Sequence, residues 1–244
     1  MDTANPPKTK KRQTPDSLSR RALAGRSLAA IAALLLIGTC VLCARWGYAD
    51  LVAADASSRQ AAMQEHAAKT GELADAPQAN TLRDELMLAQ RFDPRNPTTA
   101  EQLGGLYALN VREGGAIRNQ RAKALEQYSQ AVVMRPTSPY SWASLAWTKY
   151  YLGQVDAEFY RALDAAIQLG PWEPEVQYLV VDLGLALWDE LPPGMRPKIM
   201  TIAQNGTRRY APQIIAIARK QARLAEVCKI EKLRVMPACK TVSG

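Results

Sequence analysis

Near its N-terminus the chain carries a run of eighteen residues without a charged side chain. Residues 27–44 read SLAAIAALLLIGTCVLCA. As a helix with a rise of about 1.5 Å per residue, the run is about 27 Å long, close to the roughly 30 Å hydrocarbon thickness of a bilayer. Arg26 and Arg45 flank the run, and Trp46 and Tyr48 follow it where an interfacial aromatic belt is found. The pattern predicts a single transmembrane helix over residues 27–45.

The charge of the chain is concentrated at its two ends. The formal net charge is +8, but residues 1–26 carry seven basic and two acidic side chains, and residues 205–244 carry nine and two. A nucleic-acid-binding domain would place its positive charge along a folded face or groove, so we expect no nucleic-acid partner. The positive-inside rule places the basic tail 1–26 in the cytoplasm of a bacterium. The rest of the chain beyond the inner-membrane helix is then predicted to be periplasmic.

A basic segment followed by an apolar run also begins a cleaved signal peptide. Here the basic segment is long, the apolar run exceeds the usual length of a signal sequence, and bulky residues follow it directly. These features favour an uncleaved anchor. Two processed forms remain as alternatives, one cleaved at the A-x-A-like residues 54–56 and one at the lipoprotein-like residues 37–40.

The segment after the apolar run is polar, and the cysteines lie on both sides of it. Residues 46–80 are rich in Ala, Gln and Asp and contain His66, the single histidine. This composition predicts a solvated helical stalk or linker.

Cys40 and Cys43 lie inside the apolar run and act there as small hydrophobes. Cys228 and Cys239 lie in the exported part, where an oxidising compartment would let them pair; two free buried thiols are the alternative.

From residue 81 a spacing recurs that is typical of helical repeats. A large residue is followed three positions later by Ala, and five positions after that Ala comes a Pro. The three instances are Leu86-Ala89-Pro94, Tyr128-Ala131-Pro136 and Leu163-Ala166-Pro171, whose prolines are 42 and 35 residues apart. After each instance a polar residue and a Pro restart a helix, in residues 96–98, 137–139 and 173–175. The pattern predicts an all-α array of helix pairs over residues 81–228, followed by a tail over residues 229–244.

These segments resemble the tetratricopeptide repeat. In the first unit, the residues that match the family motif are Leu103, Gly104, Tyr107, Ala124, Tyr128, Ala131 and Pro136, with a lengthened turn around residues 113–116. In the second unit they are Trp142, Leu145, Gly153, Leu163, Ala166 and Pro171, but Ala146 replaces the usual Gly and Lys149 the usual Tyr. A third unit with Leu183, Gly184 and Ala203 matches poorly, and residues 211–228 are typical of a capping helix. The resemblance implies a short tetratricopeptide-like solenoid behind the transmembrane helix.

Residue patterns of known catalytic sites are absent from the sequence. The chain contains no H-E-x-x-H, G-x-x-x-x-G-K-[ST] or G-x-G-x-x-G motif, and its one histidine precedes the folded domain. Acidic pairs occur at residues 156 and 158, 173 and 175, and 189 and 190, and such pairs on helical repeats are usually solvated. We therefore expect no enzyme activity, no catalytic residue, no metal and no cofactor.

The resemblance also implies a binding surface. It places Tyr140, Trp147, Tyr150 and Tyr151 on the side of the second unit's first helix that faces the concave groove, whereas Trp142 and Leu145 face the core. Aromatic rings with polar tips suit peptide anchoring or stacking on sugar rings. Packing of these rings between adjacent repeats or at the membrane interface is the alternative.

In its architecture of basic tail, single anchor and short helical-repeat domain, the chain is similar to the small VpsP-like membrane proteins of bacterial exopolysaccharide biosynthesis. This similarity implies a scaffold or accessory protein that binds protein partners of a polysaccharide assembly or export complex, or the polymer itself. An assembly factor for pili, secretion or cytochrome maturation and a glycan-binding module are the alternatives.

Overall fold

The computed structural model describes residues 15–70, 76–109 and 117–240, and within these ranges the chain is helical, with no β-strand. The predicted all-α class is therefore confirmed for this part of the chain. The helices in chain order are α1 Pro15–Thr70, α2 Ala76–Phe92, α3 Pro97–Ala108, α4 Ile117–Met134, α5 Pro139–Tyr151, α6 Ala157–Leu169, α7 Pro174–Ala186, α8 Met195–Lys220, α9 Leu224–Val227, α10 Glu231–Arg234 and α11 Pro237–Lys240. Residues 1–14 of the predicted basic tail and the lengthened turn predicted around residues 113–116 lie outside the described residues.

The chain divides into two compact units, Met1–Gly47 and Tyr48–Gly244. The first unit contains the apolar part of α1. The segment Arg26–His66 includes an 18-residue window with a mean hydropathy of 2.5, none of which is buried. Leu34, Leu35 and Leu36 are among its exposed apolar side chains. Among the residues that the structure describes, one N-terminal helix is thus long and apolar enough to cross a membrane.

The second unit begins inside α1, because the helix continues without a break through the segment predicted as a solvated stalk. Ala49, Ala53 and Ala56 are buried on one face of it. The Gln60 side-chain amide donates to the backbone carbonyl of Gln102 at 2.6 Å, so this face contacts α3. The stripe formed by Ala49, Ala53 and Ala56 is not evident from the sequence, because its side chains are small. Their small size allows α1 to approach α3 closely.

Helices α3 and α4, α5 and α6, and α7 and the first half of α8 pack together as consecutive pairs. The first helix of each pair begins at a proline, as the sequence predicts, and Asn96 and Ser138 cap α3 and α5 by accepting hydrogen bonds from backbone N–H groups of the first turn. The recurring large residues and alanines of the repeat spacing are all buried, namely Leu86, Ala89, Tyr128, Ala131, Leu163 and Ala166.

Two glycines allow the closest approach between paired helices. A β-carbon at Gly104 would lie 2.8 Å from the Tyr128 ring, and one at Gly184 would lie 2.6 Å from the Ile199 side chain. Both distances are shorter than van der Waals contact. Each of these glycines follows a leucine, Leu103 or Leu183, and both Leu-Gly pairs are among the residues singled out in the sequence.

The C-terminal region differs from its prediction. Helix α8 ends at Lys220 and is divided at Tyr210, whereas the sequence predicts one capping helix over residues 211–228. Ala222 adopts a positive φ of 55°, which ends the helix, and Ala222 and Ala225 are exposed rather than inward-facing. Residues 229–240 are also not a simple tail, because Ile230, Leu233 and Cys239 are buried. Burial of these side chains overrides the high helix propensity of the alanines.

A disulfide joins Cys228 to Cys239, with their Cα atoms 5.4 Å apart. It links the residue that follows α9 to α11 and closes the segment that contains the buried side chains of Ile230 and Leu233. A cross-link of this kind stabilises a small segment that buries few apolar groups of its own.

Candidate functional site

Helix α5 carries the four aromatic residues that the sequence predicts for a binding groove. Tyr140, Trp147 and Tyr151 are separated by seven and four positions, so they lie on one face of the helix. The Trp147 and Tyr151 ring centroids are 4.4 Å apart, and the Tyr150 ring meets Tyr151 edge to face at 5.2 Å. The structure thus brings Trp147, Tyr150 and Tyr151 together at the C-terminal end of α5. We call these three residues the aromatic cluster.

Tyr140 lies apart from the aromatic cluster, at the first turn of α5 and roughly 10 to 16 Å away along the helix. Its hydroxyl donates to the carboxylate of Glu173, the residue that precedes α7. This hydrogen bond, together with burial, raises the pKa of Tyr140 to about 12. Tyr140 therefore connects α5 to the start of α7, and it does not extend the cluster.

The aromatic cluster is partly packed and partly open to solvent. Trp147 and Tyr150 are half-buried against the hydrophobic core, whereas Tyr151 is 37% exposed. Leu145, on the opposite side of α5, is buried, and Trp142 donates from its indole to the Pro136 carbonyl at 2.8 Å. The aromatic cluster therefore packs on the core with part of its surface and faces solvent with the rest.

Two cations next to the aromatic cluster come from other helices and are not evident from the sequence. The Arg121 guanidinium of α4 lies 4.9 Å from the Tyr151 ring centroid, within range of a cation–π interaction. On α8, Lys220 donates to the carboxylate of Asp182 at 3.0 Å. The hydrogen bond to Asp182 raises the pKa of Lys220 against the opposing effect of burial, and the neighbouring Tyr151 and Tyr150 raise it further. The cluster is therefore bordered by two basic side chains, of which Lys220 forms an ion pair with Asp182.

Lys149 is buried beneath this end of α5. Its ammonium lies 3.0 Å from Asp156 and 2.8 Å from Glu158, at the start of α6. The sequence predicts that these two acidic residues form a solvated face, but both bind Lys149. The ion pairs fix the turn between α5 and α6 and thereby hold the aromatic cluster in place.

The described residues contain no group of three or more His, Cys, Asp or Glu side chains arranged to hold a metal ion. His66 is exposed on α1. In comparisons with known proteins, no family model matches the chain and no curated protein matches it significantly.

Proposed function

We propose that this protein is a single-pass protein of the bacterial inner membrane whose second unit is a tetratricopeptide-like solenoid in the periplasm. We propose further that it serves as a scaffold or accessory protein in exopolysaccharide biosynthesis or export. It binds protein partners of the assembly complex, or the polymer, through the aromatic cluster on α5. The observation that carries this proposal is the partly exposed cluster of Trp147, Tyr150 and Tyr151 beside Arg121.

The helix pairs support the solenoid. Close packing at Gly104 and Gly184 and the prolines that begin α3, α5 and α7 are the features that a stack of helix pairs requires. Such stacks present the first helix of each pair as a continuous binding surface. An exposed aromatic cluster on α5 is therefore well placed to contact a partner.

Two independent features support a periplasmic location. The apolar helix follows a basic tail, which the positive-inside rule places in the cytoplasm. The Cys228–Cys239 bond belongs to an oxidising compartment, because cytosolic thiols are kept reduced.

The chemistry of the aromatic cluster supports recognition rather than catalysis. Trp, Tyr and Arg are the residues most enriched at the energetic centres of protein interfaces. Aromatic faces with polar edges also stack on sugar rings. The aromatic cluster contains residue types that suit both protein interfaces and sugar stacking. Its half-buried rings also lose little conformational freedom when a ligand binds.

The test is crosslinking of the full-length protein in native membranes, combined with measurement of secreted polymer. We expect Trp147→Ala/Tyr151→Ala to reduce captured partner on the order of tenfold or more and to impair polymer secretion. Tyr160→Ala on α6 is the matched aromatic control and should leave both unchanged. Circular dichroism and thermal unfolding show whether each variant folds.

A folded double variant that keeps its crosslinks and its polymer secretion would show that the aromatic cluster is not the contact surface. Capture of pilus, secretion or cytochrome-maturation components by the wild type would contradict the polysaccharide assignment. Hydrolysis of a glycan by the purified protein would contradict the scaffold role.

A further inference from the structure

A cleft of about 470 Å³ lies between the start of α7 and the kink that divides α8. Trp172 and Glu173 line it from the turn before α7, and Arg208, Arg209 and Tyr210 line it from the kink. The kink arises at Tyr210, whose φ of −131° and ψ of 32° are not helical, two residues before Pro212. The volume is within the range of small-ligand sites.

Trp172 presents an exposed aromatic surface at this cleft. Its side chain is 57% exposed, although Trp is among the residues that are usually well buried. The Arg208 guanidinium lies 5.2 Å from its ring centroid. The ring of Trp172 thus leaves aromatic surface open to a ligand directly beside a cation.

The two arginines of the kink provide positive charge that no carboxylate neutralises within the described part of the chain. Both side chains are exposed, and neither Arg208 nor Arg209 forms an ion pair there. The one carboxylate lining the cleft, Glu173, accepts the hydrogen bond of Tyr140. The planar guanidinium fork matches the geometry of a carboxylate.

Two neutral amide side chains of the same cleft are fixed by hydrogen bonds. Gln177 and Asn205 both donate from their amide nitrogens to the carbonyl of Pro171, at 2.8 Å and 3.2 Å. Gln177 is buried, whereas Asn205 is half-buried, so the amide oxygen of Asn205 is the acceptor that a ligand in the cleft could use. The cleft therefore combines an aromatic face, two guanidinium groups and a fixed neutral side chain.

We propose that this cleft binds an acidic sugar residue of a polysaccharide chain. The sugar ring stacks on Trp172, its carboxylate binds Arg208 and Arg209, and a hydroxyl group donates to the amide oxygen of Asn205. An acidic peptide would satisfy the arginines, but a ring that carries hydroxyl groups also matches the aromatic face and the amide acceptor of Asn205. The inference rests on the proposed function, for which it specifies an anionic polymer.

The experiment is isothermal titration of the full-length protein in detergent micelles with hexameric oligogalacturonate and oligomannuronate. We expect at least one of them to bind, and its methyl ester, which lacks the charge, to bind on the order of tenfold more weakly. Arg208→Gln/Arg209→Gln and Trp172→Ala should each weaken binding by a similar factor. Arg219→Gln, which removes the charge of an exposed arginine elsewhere on α8, is the control for loss of positive charge and should change affinity less than about twofold. Unfolding curves establish that each variant folds, and Arg208→Lys/Arg209→Lys should restore part of the affinity.

Failure of the folded wild type to bind either oligosaccharide would overturn the proposal, as would equal binding of the methyl ester. Tighter binding of hexaglutamate would identify an acidic peptide as the ligand instead. A loss of affinity in Arg219→Gln equal to that of the double variant would show non-specific charge attraction.

The outcomes also separate this inference from the proposed function. If no acidic sugar binds but Trp147→Ala/Tyr151→Ala still loses its partners, only the cleft assignment is wrong. If the acidic sugar binds as expected but that variant keeps its partners and polymer secretion, only the scaffold role of the aromatic cluster is wrong.

Discussion

Lys149 is a charged residue that the fold buries, and its two carboxylate partners explain why it stays charged. It is 3% exposed. Burial lowers the pKa of its ammonium, but the hydrogen bonds to Glu158 and Asp156 outweigh this effect and raise the pKa above 10.5. The backbone N–H of Phe159, and after it Lys149, lower the pKa of Asp156 below 3.8. Both charges are thus stabilised by the same contact between α5 and α6.

We expect Lys149→Met to lower the free energy of unfolding at neutral pH by about 1–3 kcal/mol, because methionine keeps the apolar packing but leaves two carboxylates unpaired. The carboxylates are half exposed, so the lower part of this range applies. Lys198→Met, which removes a surface pair with Asp164, is the control and should cost less than about 1 kcal/mol. Urea denaturation measures both.

The pH dependence of this difference follows from the pKa directions. The raised pKa of Lys149 contributes stability below 10.5 that is lost as the pH rises through the folded value. The lowered pKa of Asp156 contributes stability above 3.8 that is lost as the pH falls through the folded value. The free energy of unfolding of the wild type should therefore exceed that of Lys149→Met most between about pH 5 and pH 10, and the difference should be smaller in more acidic solution. A difference that stays constant down to about pH 2 would contradict the ion-pair explanation.

Two helices of the second unit end with the same hydrogen-bonding pattern. After α5, Gly153 has a φ of 73° and the N–H of Gln154 donates to the carbonyl of Lys149 at 2.9 Å. After α8, Ala222 has a φ of 55° and the N–H of Arg223 donates to the carbonyl of Ala218 at 2.8 Å. Both ends are Schellman motifs, in which a residue with positive φ reverses the chain. After α5 the residue with positive φ is Gly153, and glycine is the residue that this conformation favours. After α8 the same position is occupied by Ala222.

The two positions should respond in opposite directions to exchange of their residues. Gly153→Ala should lower the free energy of unfolding by about 1–2 kcal/mol, since nothing lies within 4 Å of the new β-carbon and the cost comes from the backbone alone. Ala222→Gly should raise it by up to about 1 kcal/mol, because the strain of the alanine is relieved. Thermal and urea unfolding test both, and a destabilised Ala222→Gly protein would refute the assignment of strain at that turn.

At the scale of the whole molecule, the apolar helix, the charge distribution and the disulfide predict one topology. If residues 27–45 span the membrane with residues 1–26 in the cytoplasm, the second unit folds in an oxidising compartment and Cys228 and Cys239 pair there. Cys40 and Cys43 lie on the exposed apolar part of α1 and are not joined to each other or to the C-terminal pair.

This topology makes a measurable prediction. Alkaline phosphatase fused after Gly244 should be active in cells, and Cys228 and Cys239 should resist alkylation until a reductant is added. Cys228→Ser/Cys239→Ser should lower the stability of the C-terminal segment by about 2–3 kcal/mol, because the two cysteines are eleven positions apart and the bond closes a short loop. Cys40→Ser/Cys43→Ser is the control and should leave the stability of the C-terminal segment unchanged. An inactive fusion, or thiols at residues 228 and 239 that react without reductant, would place the domain in the cytosol.

Much of the helical architecture could be predicted from sequence because its causes are short-range. The length of the apolar run, the prolines that begin α3, α5 and α7, the caps at Asn96 and Ser138, and the spacing between large residues and alanines each act within a few turns of helix. These features depend on residues that are close together in the chain, so they can be recognised in the sequence without knowledge of the fold.

Other features arise only when distant segments pack together. The buried stripe of Ala49, Ala53 and Ala56 depends on the close approach of α3, and the early end of α8 depends on burial of residues beyond it. Arg121 reaches Tyr151 from thirty positions away, and Arg208 reaches Trp172 from thirty-six. Local propensity and periodicity carry no information about such pairs. Their proximity is decided by how helix faces pack in three dimensions, and both candidate binding surfaces consist of contacts of this kind.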